Sequence, residues 1–239
     1  MKVGYFGDVT SMPIINVYSV IEECVEKGVN ILISCGNLSD NYLKSLSIIS
    51  ELGRLAKANN IIYRFILGNK DLYYASNDAV IDKERKVRSI LAVYAENDYW
   101  LTAHPIIRND VRIISGESHY DYSFYRGKPT KLSSITKKRK WWYTNRDVWY
   151  LTDEADYTLG LYNTFDYRLT KELNDSLDAR LTNANRMYGS AIRTVVCTNI
   201  VPHKSLLSSQ GLFANYKGTF KGNVRFHNIL KSHGIIECH

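Results

Sequence analysis

Apolar residues follow two different spacings along this chain, and the alternation between them predicts the architecture. Residues 3–7, 29–34 and 61–67 are short, mainly apolar runs of the kind that form buried strands. Between them the period lengthens. Val17, Val20, Ile21 and Val25 fall at helical spacing over residues 16–27, which end at Gly28, a suitable C-terminal cap. Residues 41–58 carry Leu43, Leu46, Ile49, Leu52 and Leu55, with Asp40 placed to cap the helix start. Farther along, 112–115, 120–124 and 149–151 read as shorter strands joined by polar loops. Leu169, Leu173, Leu177 and Leu181 predict a helix over 169–181; 194–197 returns to a buried strand and 223–231 to a helix. Strand–helix alternation of this kind predicts an α/β fold with parallel crossovers, whose ligands gather at the carboxyl ends of the strands.

Composition narrows the class. At 239 residues and 45% hydrophobic, the chain can bury a full core, and residues 1–239 read as one domain without repeat, low-complexity tract or proline-rich linker. No run reaches the roughly 18–20 apolar residues of a membrane span, and the N-terminus lacks a signal-peptide profile. Cys24, Cys35, Cys197 and Cys238 show neither a CxxC nor a zinc spacing, so reduced core thiols and a cytoplasmic location are expected.

The formal charge of +7 changes the picture in one place. Within 126–146, Lys137, Lys138, Arg139 and Lys140 run into Trp141 and Trp142, a combination suited to phosphate contact with base stacking. The plainer reading is a solvated loop anchored by its aromatics. The 18 tyrosines offer material for a protein-binding surface or for core and rim packing.

Candidate chemistry lies just after the apolar runs. Gly7-Asp8-Val9-Thr10, Gly36-Asn37-Leu38-Ser39-Asp40, Gly68-Asn69-Lys70-Asp71 and Thr198-Asn199-Ile200-Val201-Pro202-His203 each follow one. In order and spacing they resemble the motifs of the calcineurin-like metallophosphoesterases, Asp-x-His, Gly-Asp-x-x-Asp, Gly-Asn-His-Asp/Glu and Thr-His-x-x-Pro. The segment from Gly116 to Phe124 adds a local likeness to some bacterial members. The resemblance implies two packed mixed β-sheets flanked by helices, with two divalent metals held across the strand ends. Such a pair generates a hydroxide and stabilises in-line phosphoryl displacement.

The ligands themselves are largely replaced. By the resemblance, Asp8 stands at the first metal ligand and Asn69 at the asparagine ligand of the second. Thr10 replaces a histidine, Asn37 the bridging aspartate, Lys70 the catalytic histidine and Asn199 a further histidine ligand. His239, where the chain stops, is a remnant of a closing Gly-His-x-His motif. Asp40, Asp71 and His203 are replacement ligands or, more simply, structural residues. His104, His119, His227 and His233 read as packing or surface residues.

Sites of this kind usually keep about three strong protein ligands. The expectation is therefore a catalytically degenerate metallophosphoesterase-like protein, more a pseudoenzyme than an enzyme, that binds a protein or phosphate-containing partner. Its vestigial metal residues would be Asp8, Asn37, Asn69, Asn199 and His239, with Lys70 and the asparagines forming a phosphate site. No tightly bound cofactor is expected; manganese or another divalent metal belongs to the alternative, a divergent active phosphohydrolase. A third reading is a nucleic-acid-binding module on 126–146. The bias toward asparagine, lysine, isoleucine and tyrosine points to the AT-rich genome of a bacterium or phage.

Overall fold

The computed structural model describes residues 1–9, 15–39, 41–68, 70–72, 83–108, 110–119, 123–124, 164–189, 192–207, 222–235 and 237–238. The fold is mixed α/β. Backbone contacts divide it into two compact units, one of residues 1–117, 192–199 and 237–239, the other of 118–191 and 200–236.

The first unit holds both sheets. Strands β1 (Val3–Phe6), β2 (Ile31–Ser34) and β3 (Ile62–Phe65) pair in parallel in that order. Val3 lies beside Ile31 and Ile31 beside Ile62, so the three strands end level. Strands β4 (Ile106–Arg108), β5 (Val111–Ser115), β6 (Arg193–Cys197) and β7 (Glu237–Cys238) form the second sheet. The β4–β5 pair is antiparallel and the remaining pairs are parallel. Ile31, Ile33, Ile66, Ile106, Ile113 and Val195 meet in one buried cluster, so side chains from the two sheets share a core. The middle strand β2 is buried along its whole length, as an apolar run on a parallel strand predicts, while β1 is half-buried throughout and β3 alternates.

Helices α1 (Ile15–Glu26), α2 (Tyr42–Ala58) and α3 (Lys83–Ala95) belong to this unit. In α1 and α2 the expected Val17, Ile21, Ile49 and Leu52 are buried, but the stripes are only partly right. Val25 is 51% exposed and Leu43 59% exposed, whereas Cys24, Ser45, Ile48 and Ala56 are buried. Small residues of α2 pack inward, a choice that a count of large apolar residues overlooks. Asn41, not Asp40, caps α2, its side chain accepting from the Leu43 and Lys44 amides at 2.9 and 3.3 Å. Asp40 lies outside the described residues.

In the second unit, α4 (Thr164–Tyr188) packs on α5 (Val224–Ser232). Leu169, Leu177, Leu181, Phe226, Ile229 and Leu230 are buried. Asn174, also buried, donates to Asn223 Oδ1 at 2.9 Å, and Asn223 caps α5 by accepting from the Phe226 amide at 2.7 Å. The expected strands over 120–124 and 149–151 fall mainly or wholly outside the described residues. Among the described residues, no helix is long and apolar enough to cross a membrane.

Candidate functional site

The level ends of β1, β2 and β3, with the end of β6, bring together Asp8, Asn37, Lys70 and Asn199 within the first unit. Backbone geometry sets this apart from an ordinary set of strand ends. Asp8 and Asn37 adopt left-handed φ values of 55° and 57°; among the described non-glycine residues only Asn60 does likewise. Such conformations cost of order 1 kcal/mol or more and gather at functional sites, although Asn and Asp tolerate them best.

Two glycines let the loops close on one another. A side-chain carbon on Gly36, whose φ is +77°, would stand 2.4 Å from the backbone nitrogen of Gly68. One on Gly68 would stand 2.2 Å from Asn37 Oδ1 and 2.7 Å from Asn199 Oδ1. Gly36→Ala therefore combines left-handed strain with a backbone clash that no rotamer change relieves. It is expected to lower unfolding stability by about 2–3 kcal/mol, read from the urea midpoint.

A buried aspartate ties the loops down. Asp71, 1% exposed, accepts through Oδ2 from the amides of Asn37 (2.6 Å) and Gly68 (2.9 Å). Through Oδ1 it accepts from the Leu38 amide (2.9 Å) and the Ser45 hydroxyl (2.8 Å). Burial pushes its carboxyl above the ordinary aspartate value, while these four donors pull the other way. A second buried carboxylate supports the end of β3. Glu117 accepts from the Leu67 amide at 2.7 Å, Trp100 Nε1 at 2.6 Å and Thr102 Oγ1 at 2.6 Å.

On this frame sits the solvent-facing Lys70–Asp8 pair, with the buried Asn37 beside it. The Lys70 ammonium donates to Asp8 Oδ1 at 3.3 Å, with side-chain exposures of 32% and 71% for the two partners. Asn37 Oδ1 accepts the Lys70 backbone amide at 3.1 Å, and Asn37 Nδ2 reaches Asp8 Oδ1 at 3.4 Å. Asn199 Nδ2 donates to the Cys35 carbonyl at 2.6 Å. The ensemble is one carboxylate, one ammonium and two amides beside an open face.

A divalent metal does not fit this donor set. Asp8 is its one charged donor and already faces an ammonium. The oxygen of Asn37 is occupied by a backbone amide. Among the described residues, no three His, Cys, Asp or Glu side chains are grouped to hold a metal. His203, a candidate replacement ligand, belongs to the second unit, where its ring lies 4.2 Å from that of His227 and accepts the Ser205 amide at 3.2 Å. Thr10, Asn69 and His239, together with Lys137, Lys138, Arg139, Lys140, Trp141 and Trp142, lie outside the described residues.

Sequence reasoning located Asp8, Asn37, Lys70 and Asn199 through their motifs and gave Asp71 a supporting role. It missed Glu117, Trp100 and Thr102. A single glutamate after an apolar run carries no signal for the three donors that fold brings to it.

No family model and no curated protein matches the chain. In fold it is similar to a phosphopantetheinyl hydrolase from Mycobacterium tuberculosis, with a TM-score of 0.65 over 99% of this chain and 79% of that one. The two sequences are 15% identical, so the likeness concerns the fold. This finding corrects the expectations drawn from the motifs. Assignment to the calcineurin-like metallophosphoesterases gives way, since this structural neighbour is named as a phosphopantetheinyl hydrolase. The expectation of a degenerate, binding-only metallophosphoesterase goes with it, since the likeness in fold is to a protein named as a hydrolase of another kind. The nucleic-acid reading rests on residues 126–146, which lie outside the described residues.

Proposed function

We propose that the chain is a hydrolase of phosphate esters, acting on a substrate of the phosphopantetheinyl kind at the ends of β1, β2, β3 and β6. The observation that carries this reading is the Lys70–Asp8 pair, held 3.3 Å apart on an open face by left-handed Asp8 and Asn37. Its support from outside is the fold likeness, which spans 99% of the chain.

Each group has a role in that chemistry. Lys70 supplies positive charge to the phosphoryl oxygens, where charge accumulates as the reaction proceeds. Asp8 is the carboxylate placed to take the proton of the attacking water. The water oxygen bonds to phosphorus as the ester P–O bond breaks, and the leaving oxygen takes a proton from solvent. Asn37 and Asn199 fix the loops so that Lys70 and Asp8 meet the same ligand.

The test is turnover by the full chain of two substrates, a diester joining phosphopantetheine to a peptide hydroxyl and a generic aryl phosphodiester. Release of the peptide faster than of the aryl alcohol is the expected outcome. Release of neither, with the protein folded, would remove the proposal.

A further inference from the structure

We infer that the Lys70 ammonium is the resident cation of this site: it takes the place of a divalent metal's charge and binds the substrate phosphate directly, in competition with Asp8. This rests on the reading of the strand ends as a phosphate-ester site and adds how the anion is held.

Three observations converge on it. Among the described residues the donor set does not fit a divalent metal, since Asp8 is its sole charged donor and already faces an ammonium, and Asn37 Oδ1 accepts a backbone amide. Positive charge is nonetheless fixed among these groups, 3.3 Å from Asp8 Oδ1. The Lys70 backbone amide is pinned to Asn37 at 3.1 Å, which sets where the lysine stem leaves the loop. An ammonium has three donors, and Asp8 takes one of them.

Energetics then decide whether exchange is feasible. A buried ion pair would resist being opened. This one is open to water, with Asp8 71% and Lys70 32% exposed, and such pairs contribute at most about 1 kcal/mol. Inorganic phosphate carries more charge than a carboxylate and a phosphodiester as much, and both accept several hydrogen bonds. Either can displace Asp8 at little cost, leaving that carboxylate free beside the bound ester.

Competition makes a prediction that reverses in sign for a metal site. Where Asp8 holds a metal, removing its charge weakens anion binding. Where Asp8 only competes for Lys70, removing its charge strengthens it. Asparagine tolerates the left-handed backbone at residue 8, so Asp8→Asn keeps the fold.

The experiment is calorimetric titration of the full chain with inorganic phosphate, in EDTA and again with manganese, for wild type, Asp8→Asn and Lys70→Ala. Expected are binding by wild type in EDTA, about five-fold tighter binding by Asp8→Asn, and at least about ten-fold weaker binding by Lys70→Ala. Wild-type binding that requires manganese, weaker binding by Asp8→Asn, or no binding by wild type would each overturn the inference. Phosphate binding in EDTA without cleavage of any ester would leave it standing and remove the hydrolase proposal. Ester cleavage that appears only with manganese would do the reverse.

Discussion

Lys70→Ala is expected to lower kcat/KM for phosphate-ester hydrolysis by about 10²–10³-fold, the range seen when one electrostatic contact to a developing anion is removed. The effect has two parts. The phosphoryl oxygens lose their cation, and Asp8, relieved of its partner, presents an uncompensated negative charge to the incoming substrate. Lys70→Arg keeps the charge but moves it outward on a longer, planar group, so partial activity is expected. Stability should hardly move. The pair is open to solvent, and loss of an exposed pair changes unfolding free energy by at most about 1 kcal/mol. Steady-state rates beside urea unfolding of the same preparations check both halves.

Asp71→Ala acts through the opposite balance, with a large loss of stability. Its carboxylate gathers three backbone amides and a serine hydroxyl from the two loops and from α2, in a place shut off from water. Deleting it leaves the Asn37, Leu38 and Gly68 amides and Ser45 without that acceptor. A buried donor left unsatisfied costs about 1–3 kcal/mol, and local relaxation recovers part of the sum. A net loss of about 3–5 kcal/mol is expected, a large fraction of a typical domain's stability. Asp71→Asn retains one acceptor oxygen but turns an amide N–H toward donors, so about half that loss is expected. Urea midpoints at constant slope measure both.

How much of this could be read from the sequence differs by element. The apolar runs of β1, β2, β3 and β6 are bounded by glycines or polar loops, so their placement within a residue or two followed from hydrophobicity alone. Helix α4 is also periodic, yet it runs from Thr164 to Tyr188, past the leucine ladder at both ends. Helix α3 and strand β4 were not anticipated; the arginines and lysines of α3 and the three-residue length of β4 mask their periods.

The site divides in a similar way. Asp8, Asn37, Lys70 and Asn199 each follow a strand, so the α/β topology alone places them at one edge. What their pairing would be was not legible. The 3.3 Å ion pair depends on two left-handed residues and on the close approach of Gly36 to Gly68, which are properties of the folded backbone. The same motif positions read as eroded metal ligands when matched by residue type alone. With Lys70 against Asp8 they form a charged constellation of another kind.

The most direct measurement is a mass-resolved hydrolysis assay on the phosphopantetheine–peptide diester, run in water enriched in oxygen-18 with wild type, Asp8→Ala and Lys70→Ala. Wild type should release the peptide and place one heavy oxygen on the phosphate, while both variants fall at least about 100-fold. An intact diester after prolonged incubation with folded wild-type protein, or equal release by all three proteins, would contradict a hydrolase built on this pair.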